Sequence, residues 1–216
     1  MKTTMLMIPM LALGVAGFTT QNTISPFDHG ALIITAPAAI QSDPLMESMN
    51  KMMKQMHAQQ MKGNVDYDFA SMLKAHHQGA IDMARIELQQ GKDASMKKMA
   101  QKILTKQTKE VAQLNQLIAK LQNSTKNYDP ANKQSGAGKA MSDNMMEMMK
   151  PGNMSMSSID HEFADMMTKH HKDGIMMAKS IVTYSKSAKL KSMAQQSIPE
   201  QTQEIREMEQ WMKAHQ

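Results

Sequence analysis

The chain has no cysteine among its 216 residues. That excludes disulfide staples, thiolate ligands and a lipid anchor on an N-terminal cysteine. Aromatic residues are scarce, with four Phe, three Tyr and one Trp. The net charge of +5 comes from lysines mixed with Glu and Gln on polar helix faces. A basic stripe interleaved with aromatics, the footprint of nucleic-acid binding, is missing, so no nucleic-acid partner is expected. No apolar run is long enough to span a bilayer as a stable helix. Glu-x-x-His, the motif of carboxylate di-iron bundles, occurs nowhere. A ferritin-like metal oxidase is therefore disfavoured, and no enzymatic turnover is expected. Nothing alternates with the two-residue period of a strand.

What the chain has in excess is methionine, 28 residues, in a world where Leu, Ala and Val dominate. Thioethers give an oxidising compartment a soft ligand that forms no disulfides, although they oxidise to sulfoxide. The N-terminus is consistent with such a compartment. Lys2 precedes an apolar run from Met5 to Phe18, which reads as a secretory signal over residues 1–20. Gly14-Val15-Ala16 offers a small-residue cleavage site. A second apolar patch, Ala31–Ile40, is interrupted by Pro37, so the cut is expected between 16 and 39. The mature protein is expected in the periplasm or secreted, without a membrane span. Residues 21–43, with Pro26, Gly30 and Pro37, read as a linker.

The rest, 44–216, reads as a Met/His-rich helical bundle. Residues 66–118 and 160–212 are two copies of one unit at a constant offset of 94, gapless over 53 positions with 19 identities. Each copy predicts a helical hairpin. The first helix of each carries a His-His pair and stops near Gln90 or Ser185. The second spans about 94–122 or 187–214, and Pro199 is expected to kink the latter. Asn64 or Asp66 is expected to cap the first His-His helix, and Ser158 or Asp160 the second. A short Met-rich helix is expected over 45–61. A hairpin alone cannot bury both sides of its helices. Two hairpins packed about a pseudo-two-fold axis give an all-α, ferritin-like four-helix bundle in one domain, with short Met-rich helices added.

The chemistry sits in the repeat. Helical spacing sets Phe69, Met72, His76 and Met83 on one stripe, matched by Phe163, Met166, His170 and Met177. His77 and His171 lie on a neighbouring stripe, His171 one turn after Met167. Adjacent histidines point about 100° apart, so each is expected to use a Met four residues earlier and donors from another helix. Imidazole and thioether together favour Cu(I) or Ag(I), which accept two or three donors. Cu(II) would use the imidazoles with acids such as Asp66, Asp68, Asp160 and Glu162. Zn(II) would need more His, Cys or carboxylate donors than the methionine excess offers. A second candidate group is Met141, Met145, Met146, Met148 and Met149, with Met154 and Met156 beyond Pro151-Gly152. Core packing is not expected to account for so many thioethers in a Pro/Gly-broken segment. Metal is expected to order residues 141–156. Met96, Met99, Met193 and Met208 are expected to fill the core. His57, His161 and His215 are isolated. On the competing view, the methionines form an adaptable protein-interaction surface without metal.

The pattern Phe-Ala-x-Met-x-x-x-His-His followed by Ile-x-Met-Ala, found twice, resembles the domain-of-unknown-function family 305 over roughly residues 45–214. The resemblance implies a ferritin-like bundle exported from a bacterial cell. It also implies binding of copper, with silver as surrogate, in copper resistance and homeostasis. Carried over residue by residue, it reaches Met72, His76, His77, Met83, Met166, His170, His171 and Met177. Asp173 replaces Gly79 and His161 replaces Tyr67 between the copies, so the halves are expected to differ in affinity. A copper-export or copper-transfer protein is the expected partner.

Overall fold

The computed structural model describes residues 43–152 and 157–215. The expected secretory signal, most of the linker, His29, Met154 and Met156 lie outside the described residues. Six helices follow in order: α1 (Pro44–His57), α2 (Val65–Gln90), α3 (Ala94–Leu121), α4 (Gly136–Met148), α5 (Ile159–Tyr184) and α6 (Ala188–Ala214). There is no strand among the described residues.

Local chemistry starts each helix. Asp43 caps α1 by accepting from the Leu45 amide at 2.9 Å, with Pro44 in the first turn. Asn64 accepts from Tyr67 N, Asp93 from Ser95 N and Met96 N, Ser158 from His161 N, and Ser187 from Leu190 N. The caps of α2 and α5 are thus Asn64 and Ser158. The alternatives, Asp66 and Asp160, have a different task. Asp66 Oδ1 accepts from Ser185 Oγ, Lys186 N and Ser187 N, while Asp160 Oδ1 accepts from Lys92 N and Asp93 N. Each repeat's first-turn aspartate therefore holds the other repeat's interhelical turn. The two hairpins α2–α3 and α5–α6 are locked together by these reciprocal bonds.

Two segments differ from expectation. Helix α1 stops at His57 rather than Met61, because Lys62 N and Gly63 N donate to the Asp68 carboxylate at 2.8 and 2.9 Å. Those bonds pull the chain off the helical path. Helix α4 takes in Met141, Met145, Met146 and Met148, and Met141 and Met148 are buried in the core. Core packing does account for part of that cluster, and residues 141–148 are helical already. Helix α6 continues through Pro199.

The hydrophobic core has two halves. One half gathers Phe69 and Met72 from α2, Met177 and Ile181 from α5, and Leu114 and Leu190. The other gathers Met83 from α2, Phe163, Met166 and Met167 from α5, and Met96, Met99, Ile103 and Met208. The N-terminal part of α2 thus shares a half with the C-terminal part of α5, so the two central helices run antiparallel. Residues 76–77 and 170–171 lie between the halves. Methionine supplies much of both. Met72, Met83, Met167, Met177 and Met208 are fully buried, and Met96, Met99 and Met193 nearly so. Burying each such side chain is worth about 1.5–3 kcal/mol.

Candidate metal sites: a histidine layer and a methionine groove

The four repeat histidines form one polar layer across the middle of the bundle, and none has more than 1% of its surface exposed. His76 and His170 meet across the α2–α5 interface as stacked rings with centroids 3.7 Å apart. His76–His77 and His170–His171 centroids lie 6.5 and 6.0 Å apart. His170 Nε2 lies 2.8 Å from the His76 carbonyl oxygen and donates to it. His171 Nε2 is 2.8 Å from Glu204 Oε2, and His77 Nε2 is 3.0 Å from Glu110 Oε2, the latter pair less well aligned. Glu110 and Glu204 occupy equivalent places in the two repeats, as do the buried Gln107 and Gln201. Gly174 makes room for this packing. A β-carbon there would come within 2.7 Å of Gln201 Oε1 and 3.1 Å of His76 Cε1.

Electrostatics keep the layer's central pair uncharged. Burial, and then the charge that His170 would carry, push His76 well below the usual imidazole range. Burial and the neighbouring His171 bring His170 down to about 3. Burial alone would raise Glu110 and Glu204, but His77 and His171 hold both carboxyls below their ordinary value, helped by Lys106 and Lys102.

Uncharged imidazoles suit a metal, but the stacked pair His76 and His170 does not aim its nitrogens at one common point. Ring nitrogen lone pairs lie in the ring plane, and stacked rings turn their faces, not their edges, to each other. Both nitrogens of His76 lack a hydrogen-bond partner, yet no group of three His, Cys, Asp or Glu converges among the described residues. The acids expected to help Cu(II) are committed elsewhere. Asp66 and Asp160 hold turns, and Asp68 accepts from Lys62, Gly63 and Tyr128. Glu162 faces Asp43, and burial followed by that neighbour raises it to about 7.

A second constellation lies at the surface. The last turn of α4 and the loop after it, together with α1 and α5, line a groove of about 380 Å³. Helix α1 contributes Met46, Met49, Met53 and His57, spaced three, four and four residues apart and so on one face. Its other face, Leu45, Ser48, Met52 and Met56, is buried. Met148 and Met149 come from the α4 end and Met166 from α5. Six thioethers and one imidazole thus share one opening. The floor carries Asp165, Asp173 and Lys169, and Lys169 Nζ donates to both Asp173 oxygens at 2.7 and 2.6 Å. That pairing offsets the Lys169 charge, and the groove's other ammonium, Lys150, is paired with Glu147.

Of the sequence candidates, Met148, Met149 and Met166 are brought together in this groove. Met145 lines a smaller neighbouring cavity with Met56, Met61 and Met141. Met146 is exposed and lines neither. Met72, Met83, Met167 and Met177 are packed in the core halves. Sequence reasoning missed Met46, Met49, Met53 and His57, whose common helical face was the available signal. It also missed Glu110 and Glu204, whose signal was their identity between the two copies.

Fold, doubled histidine motif and methionine content define a family. Residues 34–118 and 66–212 match the model of the domain of unknown function DUF305, and the chain belongs to that family. Among solved structures, it is similar to CopM in the Ag-bound form, with 25% identity over 69% of this chain and 95% of that chain and a TM-score of 0.52. CopM in the Cu(I)-bound form is similar to the same degree, with 25% identity, 69% and 96% coverage and a TM-score of 0.52. A DUF305 fragment from Deinococcus radiodurans shares the fold, with 16% identity, 69% and 96% coverage and a TM-score of 0.50. No curated protein matches. No described helix is long and apolar enough to cross a membrane.

Proposed function

We propose that this chain binds Cu(I), and Ag(I) as its surrogate, and sequesters or hands over copper outside the cytoplasm without catalytic turnover. The observation that carries the reading is the surface groove of six thioethers and one imidazole. Monovalent soft ions need only two or three such donors. An open groove with more donors than one ion uses lets a ligand be exchanged, which suits transfer better than a closed cage. Silver and copper in the similar CopM structures, the lack of cysteine and the signal-like apolar run from Met5 to Phe18 support it. On this reading the ligands come from Met46, Met49, Met53, His57, Met148, Met149 and Met166, and the histidine layer fixes how the two repeats dock.

The test is a Cu(I) titration against a competing chelator, run on the wild type and on a Met49→Ala/Met53→Ala/Met149→Ala variant. Binding of at least one equivalent, weakened in the variant, is expected. Unchanged binding in the variant would move the ion away from the groove. No binding by the wild type would sink the copper reading and favour a groove that seats a partner helix.

A further inference from the structure

His57 lines two cavities at once. One is the 380 Å³ groove, where it stands beside Met49, Met53 and Met149. The other, of about 190 Å³, holds Met61, Met141 and Met145. Helices α1 and α4 wall both. Along α4 the methionines at 141, 145, 148 and 149 recur at helical spacing, so one stripe passes from the smaller chamber into the larger. On α1 the stripe Met49–Met53 ends on His57, the last residue of the helix. The imidazole thus stands in the lining of both chambers.

The ring is fixed for this position. His57 Nδ1 lies 2.8 Å from the Met53 carbonyl oxygen and the side chain is exposed. A carbonyl only accepts, so Nδ1 is the donor and carries the proton. In the uncharged ring, Nε2 then keeps its lone pair as a ligand. A backbone carbonyl that sets tautomer and orientation is the usual arrangement behind a metal-bound histidine. Tyr128 adds an asymmetry. Its hydroxyl lies 2.7 Å from Asp68 Oδ2 and 3.2 Å from Met141 Sδ. Met141 is therefore already in polar contact and buried, while Met61 and Met145 are the more available thioethers of the smaller chamber.

We infer that His57 is a shared ligand over which a soft monovalent cation passes between two thioether-lined chambers. The inference rests on the copper-binding reading above and adds a route to it. The step is a ligand exchange. While Nε2 stays bound, a thioether of the second chamber forms a bond to the ion and a thioether of the first leaves. The ion keeps its charge, no electron is transferred and no proton moves. Two- and three-coordinate states are both accessible to Cu(I) and Ag(I), so the added donor meets no geometric barrier.

The test uses Ag(I), which is redox-silent, and the full chain with ¹³C-labelled methionine methyls read by NMR. Single Met→Leu variants assign the signals. In the wild type, substoichiometric Ag(I) is expected to move the methyls of Met49, Met53 and Met149 together with those of Met61 and Met145, as one averaged population. In His57→Ala the two sets are expected to shift in separate steps, with loss of the averaging. Because His57 is exposed at a helix end, the variant keeps the fold, and a far-UV spectrum checks this. Coupled shifts that persist in His57→Ala, or shifts confined to one chamber in the wild type, would overturn the shared-ligand role and leave binding intact. No shift of any methionine in the wild type would overturn the copper reading itself.

Discussion

The histidine layer and the methionine groove use the same two donor types and set them in opposite surroundings. In the layer, four imidazoles are buried, and His76 and His170 are stacked. His77 and His171 stand beside Glu110 and Glu204, His170 donates to a backbone carbonyl, and the nearby thioethers fill the core around them. In the groove the thioethers and His57 line an opening, and Met149 is 61% exposed. Donor chemistry alone does not make a binding site. A ligand must keep a lone pair that an incoming ion can reach, and burial in a symmetric interface removes that access. The two hairpins meet at this centre, where His76 stacks on His170. Reciprocal bonds from Asp66 and Asp160 join them at the ends.

Separating the two regions by mutation sharpens this contrast. The largest effect is expected from Met167→Ala, a fully buried thioether beside the layer. It should lower unfolding stability by about 2–5 kcal/mol in a denaturant titration while the Ag(I) stoichiometry stays that of the wild type. A lost equivalent of silver in a still-folded Met167→Ala would break the division between core and groove.

An intermediate effect belongs to pH. His76 and His170 titrate below the ordinary imidazole value of 6.5 in the fold, surrounded by His77, His171 and Lys169. The unfolded chain therefore takes up protons first. Their contribution to stability is whole above about pH 6.5 and is lost as pH falls below it, at about 1.4 kcal/mol per unit for each imidazole held neutral. Glu87 works the other way. Burial and then its neighbour Asp160 raise it to about 8. The stability of its protonated form is present below about pH 4.5 and lost as pH rises to 8. Glu87→Gln should remove that slope between about pH 4.5 and 8 and leave the limb below pH 4.5 alone, as read from melting temperatures across pH. The second repeat has Ile181 in place of Glu87, so this alkaline sensitivity belongs to one half of the pseudo-symmetric pair. An acid limb that is flat from pH 6.5 to 4 would contradict the neutral buried layer.

The smallest stability effect is expected from Met149→Ala. Its side chain is 61% exposed, and substitution should change stability by no more than about 0.5 kcal/mol, yet weaken silver binding. A variant destabilised like Met167→Ala would show that Met149 is packing and not a ligand.

Much of the fold was legible in the chain. The offset of 94 residues, the three- and four-residue steps and the capping residues located the four long helices. Those signals are local, and so were the readings that succeeded. The buried fillers Met96, Met99, Met193 and Met208 followed from apolar spacing alone. What failed was long-range. Asp66 and Asp160 sit where caps belong, but they serve turns of the opposite repeat, which periodicity within one helix does not reveal. Glu110 and Glu204 meet His77 and His171 only after the hairpins close. The short Met-rich helix expected before the second repeat is α4, which ends at Met148 ahead of Pro151-Gly152, but the burial of Met141 and Met148 in the core was not foreseen. The face formed by Met46, Met49, Met53 and His57 was visible at helical spacing. It was overshadowed by a doubled motif whose conspicuous histidines occupy the interior.

The most direct measurement is copper K-edge X-ray absorption on the full chain loaded with one equivalent of Cu(I). A low-coordinate shell dominated by thioether sulfur, with one imidazole nitrogen at most, and altered by Met49→Ala/Met53→Ala, is the expected result. A shell of two or more imidazole nitrogens, indifferent to those substitutions, would place the ion in the histidine layer and contradict the assignment of binding to the groove.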